Sequence, residues 1–452
     1  MANATMHIIM GAVVCTLSAG AAAQVDNIYR TELKNGLDVI VVENPIVPLV
    51  TIEIDVHNGG FTEPPEYAGL SHLYEHMFFK ANEAIPNQER FLERARELGM
   101  TWNGTTSEER VNYFFSLPKE NLRPGLEFMS AAIRTPLFLE EELVRERPVV
   151  TGEYDRAESN PFYHLSVAVN KKLWYKFYSH KNVLGDRQVI LTASQEKMKT
   201  IQRRYYVPNN SALIVTGDVK HDEIFREAEQ VFGSWQKGED PFIQFPAPDH
   251  PPLPGNQVVV VEKPVKVVTV QIAWHGPSVS KDRNATYAAD VLSYILTQPN
   301  SQFQKSLVDS GLLTSVGFSY YTLDKTGPIT VTGQTSAEKY DRAVAAIFAE
   351  VAKLTDAGYF TDEQLESAKN RLEISEMYGQ EQPSTFAHTV GFWWSVAGLD
   401  YYLTYIENLR KVSREDINAY VRTYVQNHPH VMGVLISPED RRKVKIQEGA
   451  SK

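Results

Sequence analysis

Three pairs of similar segments recur along the chain at a spacing of about 220 residues. The pairs are YAGLSHL at Tyr67 with YAADVLSYIL at Tyr287, FLEEEL at Phe138 with FTDEQL at Phe360, and YYVPNNSALIVTGD at Tyr205 with TYVQNHPHVMGVLIS at Thr423. A repeat of this length indicates two copies of one folding unit. Chance similarity between amphipathic segments is the alternative, but three matches at nearly one offset favour duplication.

The repeat predicts two similar α+β domains. A chain of 452 residues also exceeds what one hydrophobic core usually supports. Between the copies lies DPFIQFPAPDHPPLPG (Asp240–Gly255), whose prolines prevent continuous regular structure. We therefore predict one domain over residues 24–239, a linker over 240–256 and a second domain over 257–452.

Residues 1–23 are typical of a secretory signal peptide. The apolar run Ile8–Leu17 is too short to span a bilayer, and Ala21–Ala23 before Gln24 matches a small-residue cleavage site, although the usual basic start is missing. The single cysteine, Cys15, lies inside this segment, so we expect no disulfide in the mature chain. We expect a periplasmic location, with secretion as the alternative, and no stable membrane insertion.

The charge balance argues against one class of partner. The formal net charge is -11. Nucleic-acid binding relies on Lys and Arg that neutralise phosphates, so we expect no nucleic-acid partner.

The segment His72-Leu73-Tyr74-Glu75-His76 predicts a metal site. Residues four apart share one face of a helix, so both imidazoles can reach one ion. Glu75 lies close enough to accept a proton from a water on that ion. Zinc takes imidazole ligands readily and leaves one position open in catalytic sites, although cobalt and manganese also fit such donors. H-x-x-E-H is the inverted zinc-peptidase pattern. A helix that carries these residues by chance is the alternative, and it leaves both histidines without a role.

With this motif the chain resembles the pitrilysin/insulinase family of zinc metallopeptidases, in the short branch that includes mitochondrial processing peptidases and small bacterial members. The resemblance also rests on TELKNGLDVIVVE, AGLSHLYEHMFFK, SHKNVLGD and YYVPNNSALIVTGD. It implies two homologous domains, each an antiparallel sheet packed with helices, which face each other across a cavity. It also implies one zinc ion per chain.

The resemblance supplies the remaining residues of the metal site. The family carries a ligand glutamate about 76 residues after the motif, which falls on Glu153 in RERPVVTGEYD. A further family glutamate lies seven residues earlier, at Glu146. Two helical turns place it on the same face as Glu153, where it is expected to support the ligands; a solvated surface carboxylate is the alternative. In the second copy Leu292 and Leu296 replace the histidines, so only the first domain is expected to hold zinc.

The segment TWNGTTSEERVNYFF (Thr101–Phe115) resembles the substrate-binding edge strand of the family. An Asn-Ala pair is common there, and this chain has Asn103-Gly104. Peptide would add to this edge as an extra strand, with affinity from backbone hydrogen bonds. Asn103 is expected to bind peptide near the scissile carbonyl; an ordinary turn asparagine is the alternative.

The second copy lacks a pair that the family uses in catalysis. Family enzymes carry an Arg, and a Tyr seven residues later, that bind substrate and stabilise the developing oxyanion. Here the two positions hold Leu307 and Thr314. The hypothesis is therefore a zinc endopeptidase for peptides or unfolded segments, which forms a heterodimer with a homologous chain that supplies the Arg-Tyr pair. The alternatives are a non-catalytic scaffolding subunit and a maturation factor whose zinc is structural.

Overall fold

A computed structural model describes residues 27–451 of the chain. The segment interpreted as a signal peptide, including Cys15, lies outside the described residues. The first half contains β1 (Ile28–Glu32), β2 (Asp38–Glu43), β3 (Leu49–Val56), α1 (Leu70–Phe78), α2 (Gln88–Glu97), β4 (Thr101–Thr106), β5 (Val111–Pro118), α3 (Leu122–Arg134), α4 (Glu140–Glu158), α5 (Pro161–Leu173), α6 (Arg187–Leu191), α7 (Gln195–Tyr205), β6 (Ser211–Gly217), α8 (His221–Phe232) and α9 (Pro241–Gln244).

The second half contains β7 (Asn256–Glu262), β8 (Val268–His275), α10 (Arg283–Thr297), α11 (Gln302–Gln304), β9 (Ser315–Tyr320), β10 (Pro328–Thr335), α12 (Tyr340–Lys353), α13 (Asp362–Gly379), α14 (Pro383–Val396), α15 (Leu399–Leu403), α16 (Tyr405–Lys411), α17 (Arg414–Tyr424), β11 (Val431–Ile436), α18 (Pro438–Arg441) and β12 (Gly449–Ser451). A π-helical turn continues α11 over Lys305–Asp309. Short 3-10 helices lie at Gly60–Thr62, Pro65–Tyr67, Lys119–Asn121, Tyr178–Lys181, Pro208–Asn210 and Ala337–Lys339.

Each half builds one six-stranded sheet, and the two sheets share one strand order. The orders are β1-β2-β6-β3-β5-β4 and β12-β7-β11-β8-β10-β9. Five strands of each sheet therefore occupy equivalent places, and the predicted pair of α+β domains is confirmed. The sheets are mixed rather than wholly antiparallel, because β2 pairs with β6 and β7 with β11 in parallel. In each pair the later strand returns after a run of helices, the kind of connection that parallel pairing requires.

Both faces of the first sheet are buried. Along β3, Ile52 and Ile54 point into the main core beneath α1 and α3, while Glu53 and Asp55 point to the opposite face. Both carboxylates have no exposed surface. A second layer of structure must therefore cover the face on which they lie.

That layer is a helix from the other half of the chain. Phe386, Val390 and Trp394 of α14 pack on strands β2 and β6 of the first sheet. In return, Leu165 and Val169 of α5 pack on strands of the second sheet. The two halves thus exchange one helix each.

Two glycines allow the exchanged helices to approach closely. A Cβ at Gly391 of α14 would lie 2.3 Å from Asp55 Oδ2, and a Cβ at Gly433 of β11 would lie 2.3 Å from Val169 Cγ2. Real Cβ atoms do not come so near. A side chain at either position would therefore force the helix away from the sheet that it covers.

Polar contacts also join the halves at the turn between β4 and β5. Glu109 is 2% exposed and accepts hydrogen bonds from the backbone amides of Asp324 (2.6 Å) and Lys325 (2.9 Å) in the equivalent turn of the second half. Arg110 donates to the His388 carbonyl of α14 at 2.8 Å. The end of strand β4 is thereby anchored to the other domain.

Two cavities lie at this junction, with volumes of about 460 and 410 Å³. Both are lined by His57, Arg283 and Trp394, and the larger also by Glu109 and Asp324. Residues of both halves line these cavities, and His72, His76 and Glu153 do not.

Two local features follow from the positions of prolines and a glycine. Helix α1 begins at Leu70, because Pro65–Tyr67 forms a 3-10 turn and Gly69 has a φ of +91°. After the single turn of α9, residues 245–255 have no regular secondary structure, as their prolines predict. Within residues 27–451, no helix is long and apolar enough to cross a bilayer.

Candidate metal centre

Helix α1 is held at its N-terminus by a carboxylate from the preceding segment. The buried Glu63 accepts hydrogen bonds from the amides of Gly69 (2.6 Å) and Ser71 (2.5 Å), which would otherwise lack partners at the helix start. Gly185 packs against the same end, where a Cβ would lie 2.1 Å from Gly69 Cα. These contacts fix the position of the helix that carries the motif.

The structure brings the three expected ligands together. Nε2 of His72 lies 3.3 Å from Glu153 Oε2, and Nε2 of His76 lies 3.8 Å from the same oxygen. One donor atom from each of the three residues falls within 4.8 Å of the others. The two histidines lie one turn apart on α1, and Glu153 comes from the facing helix α4.

These donors fit zinc. Ligands at about 2.0–2.2 Å from a tetrahedral ion lie about 3.4 Å from each other, close to the two observed nitrogen–oxygen separations. Two imidazoles and one carboxylate are a common catalytic zinc set, which leaves one coordination position open. The partial exposure of all three residues allows access from solvent.

Glu146 lies behind His76, where its side chain orients the ring. Its Oε1 accepts a hydrogen bond from His76 Nδ1 at 2.9 Å, and its Oε2 pairs with Lys80 Nζ at 2.7 Å. In the neutral ring with its proton on Nδ1, donated to Glu146, Nε2 would present its lone pair toward Glu153 and a bound ion. The structure therefore places Glu146 in contact with a ligand rather than on a solvated surface. The contact with Lys80 has no signal in the sequence.

The protonation of the two histidines differs. Burial, together with the nearby His76, lowers the pKa of His72 to about 4, so His72 is neutral at neutral pH and able to bind metal. Burial acts in the same direction on His76, but the hydrogen bond and charge of Glu146 outweigh it and raise the pKa of His76. A bound cation would compete with that proton.

Glu75 lies next to His76 on α1 and contacts strand β4. Its Oε2 accepts a hydrogen bond from the Thr106 hydroxyl at 2.7 Å. Burial raises the pKa of Glu75, and the bond from Thr106 acts in the opposite direction. A raised pKa suits a carboxylate that must take and return a proton near neutral pH.

Strand β4 is an edge of its sheet, as the resemblance predicts for a substrate-binding strand. It pairs only with β5 in the described sheet order, so its other side is free for an added strand. Asn103 is an exposed residue of this strand, opposite Phe114 of β5. Its expected contact with peptide stays a prediction.

The second half has no equivalent centre. Leu292 and Leu296 are fully buried in α10, the counterpart of α1. Leu307 is also fully buried, and Thr314 is exposed with its hydroxyl near the Gln334 carbonyl. Among residues 27–451, the His72–His76–Glu153 cluster is the only group of three such donors.

Replacement of Glu146 by Gln should weaken metal binding without destroying it. An amide oxygen can still accept from His76 Nδ1, but it carries no charge and leaves Lys80 without its carboxylate partner. We expect zinc affinity to fall ~10- to 100-fold, measured by competition with a chelating dye. Glu141→Gln, an exposed carboxylate on the same helix, is the matched control. Equal zinc affinity in the two variants would contradict a role for Glu146.

Comparison with known proteins identifies the relatives of this chain. Residues 38–186 match the model of the insulinase family, peptidase family M16, and residues 192–372 match that of the peptidase M16 inactive domain. The metal-site residues all lie in the first match. The second match covers the positions of Leu292, Leu296, Leu307 and Thr314.

Individual relatives align over most of the chain. An uncharacterized zinc protease of Rickettsia felis is 26% identical over 377 residues, 81% of this chain and 87% of the relative. An uncharacterized zinc protease of Bacillus subtilis is 25% identical over 361 residues, 79% of this chain and 86% of the relative. The crystal structure of a protease from Helicobacter pylori has a TM-score of 0.81 at 22% identity, over 90% of this chain and 99% of that chain. The periplasmic protease PqqL of Escherichia coli has a TM-score of 0.76 at 17% identity, over 93% of this chain and 49% of that chain.

Proposed function

Because the chain belongs to the insulinase (M16) family of metallopeptidases, we propose that it is a zinc-dependent endopeptidase that cleaves peptides or unfolded segments. The observation that carries this proposal is the convergence of His72, His76 and Glu153 beside the carboxylate of Glu75. A chain that had become only a scaffold would have no need to retain both the ligands and the base.

His72, His76 and Glu153 would hold the ion. Zinc, when bound, acts as a Lewis acid that polarises the substrate carbonyl and acidifies water. Glu75 accepts the proton of the attacking water and returns one to the leaving amine. Glu146 keeps His76 in the tautomer and orientation that the site needs. Strand β4 aligns the peptide, and Asn103 binds it near the scissile bond.

We propose that a homologous partner chain completes the site. The buried Leu307 and the exposed Thr314 can neither bind substrate nor stabilise an oxyanion as an Arg-Tyr pair does. We also propose a periplasmic location, supported by the signal-like residues 1–23.

Removal of the metal should abolish activity while the fold survives. A catalytic ion bound by three partly exposed side chains is not needed to close the core, in contrast to a structural zinc. The zinc-loaded protein, with its partner chain, should cleave a quenched peptide, lose that activity in excess chelator and regain it on addition of one equivalent of zinc. Circular dichroism should show folded protein throughout.

Two outcomes would contradict the proposal. Peptidase activity that persists in the metal-free protein would exclude metal-dependent chemistry. Unfolding on chelation would instead favour a structural role for zinc.

A further inference from the structure

Strand β4 presents two positions to the motif helix. Side chains alternate along a strand, so Gly104 and Thr106 share the face toward α1, while Asn103 and Thr105 share the other. The strand that is expected to align substrate therefore also touches Glu75.

Gly104 provides the space that Glu75 occupies. A Cβ at this position would lie 2.9 Å from Glu75 Cγ and 3.2 Å from Glu75 Oε1. The side chain of Glu75 thus lies directly against the backbone of β4.

Thr106 donates the one hydrogen bond that the Glu75 carboxylate accepts within residues 27–451. Its Oγ1 lies 2.7 Å from Glu75 Oε2. A hydroxyl has one proton, so it engages one carboxylate oxygen and leaves the other for water. Glutamate has three rotatable side-chain bonds, so holding it in one conformation costs side-chain entropy. A hydrogen bond to a charged group is strong enough to offset that cost.

We propose that Thr106 is a positioning residue that orients the carboxylate of Glu75 toward the attacking water. This inference rests on the proposed function, because it concerns the base of that reaction. The substrate-aligning strand then also sets the geometry of proton transfer. Asn103, which is expected to bind the peptide, and Thr106, which holds the base, lie three residues apart on β4. The position of the peptide relative to Glu75 is therefore set by one strand.

Thr106→Val and Thr106→Ser test this role. Valine has nearly the shape of threonine but no hydroxyl, whereas serine keeps the hydroxyl and loses a methyl group. For the zinc-loaded protein with its partner, we expect Thr106→Val to lower kcat ~10- to 100-fold, with KM and zinc affinity unchanged, because only alignment is lost. Thr106→Ser should stay within ~3-fold of the wild type in kcat.

A double-variant cycle separates orientation of Glu75 from other effects. If Thr106 acts through Glu75, Thr106→Val should cause no further loss in a Glu75→Gln background. An equal loss in both backgrounds would overturn the proposal. So would a fall in zinc affinity that accounts for the loss of kcat, since the hydroxyl would then support the metal.

A crystallographic readout is independent of activity. The Glu75 side chain should adopt one conformer in the wild type and in Thr106→Ser, and several in Thr106→Val. If the wild type proved inactive under all conditions, the proposed function would fail, while these conformers would still decide whether Thr106 holds Glu75. One shared conformer in all three proteins would refute the inference.

Discussion

Glu75→Gln should retain zinc and lose nearly all turnover. The amide has the size of the carboxylate and can still accept the hydrogen bond from Thr106, but it cannot take a proton from water. The three ligands remain unchanged. Loss of general acid–base catalysis predicts a fall in kcat of ~10²- to 10⁴-fold. Peptide cleavage and metal content by atomic absorption, both with the partner present, measure the two effects.

The matched control is Glu66→Gln. Glu66 is an exposed carboxylate in the 3-10 turn before α1, so this variant makes the same change of charge near the helix without touching the site. It should keep the activity and zinc of the wild type. Wild-type turnover in Glu75→Gln would show that Glu75 does not serve as the base assigned here, whereas loss of its zinc would show that Glu75 supports metal binding.

Addition of a homologous partner chain should raise activity strongly. The second half of this chain offers Leu307 and Thr314 where family enzymes use Arg and Tyr, so the chain alone lacks oxyanion stabilisation. A single donor of this kind is worth ~10²- to 10³-fold in rate. We expect a gain of at least that order in kcat/KM when this chain is mixed with a homologue of the same organism that has the Arg-Tyr pair and no H-x-x-E-H. Steady-state cleavage of a quenched peptide measures it.

The control separates assembly from catalysis. The partner with Phe in place of its Tyr should bind this chain equally well, by size-exclusion chromatography, yet restore much less activity. Full activity of this chain in the absence of any partner would refute the division of labour.

The donors of the metal site could be predicted because two kinds of information converge. Helical periodicity places His72, Glu75 and His76 on neighbouring positions of one turn, and the same periodicity relates Glu146 to Glu153. Periodicity does not say how far along the chain the helix with Glu153 follows the helix with His76. That spacing came from the family resemblance. The structure brings His72, His76 and Glu153 together and places Glu146 against His76.

Contacts across long sequence separations were not predictable. Thr106 lies on an edge strand and Glu75 on a helix, and no local pattern indicates that a hydroxyl will reach that carboxylate. Lys80 was missed for the same reason, because its partner Glu146 lies on another helix. Glu63 was missed although it binds amides only six and eight residues away, because an acidic residue before a helix does not by itself indicate such a contact. Nor does alternation of apolar residues reveal parallel pairing, so the mixed character of the sheets emerged only from the structure.

The exchange of α5 and α14 makes the molecule one interlocked body. A cut in residues 245–255 would leave two fragments that remain associated, since each contributes a helix that fills an apolar face of the other. Neither fragment alone could bury both faces of its sheet. An ion at a free concentration a thousandfold above its dissociation constant would stabilise the folded first half by about 4 kcal/mol. Because the halves are interlocked, the same free energy also stabilises the second half, which binds no ion.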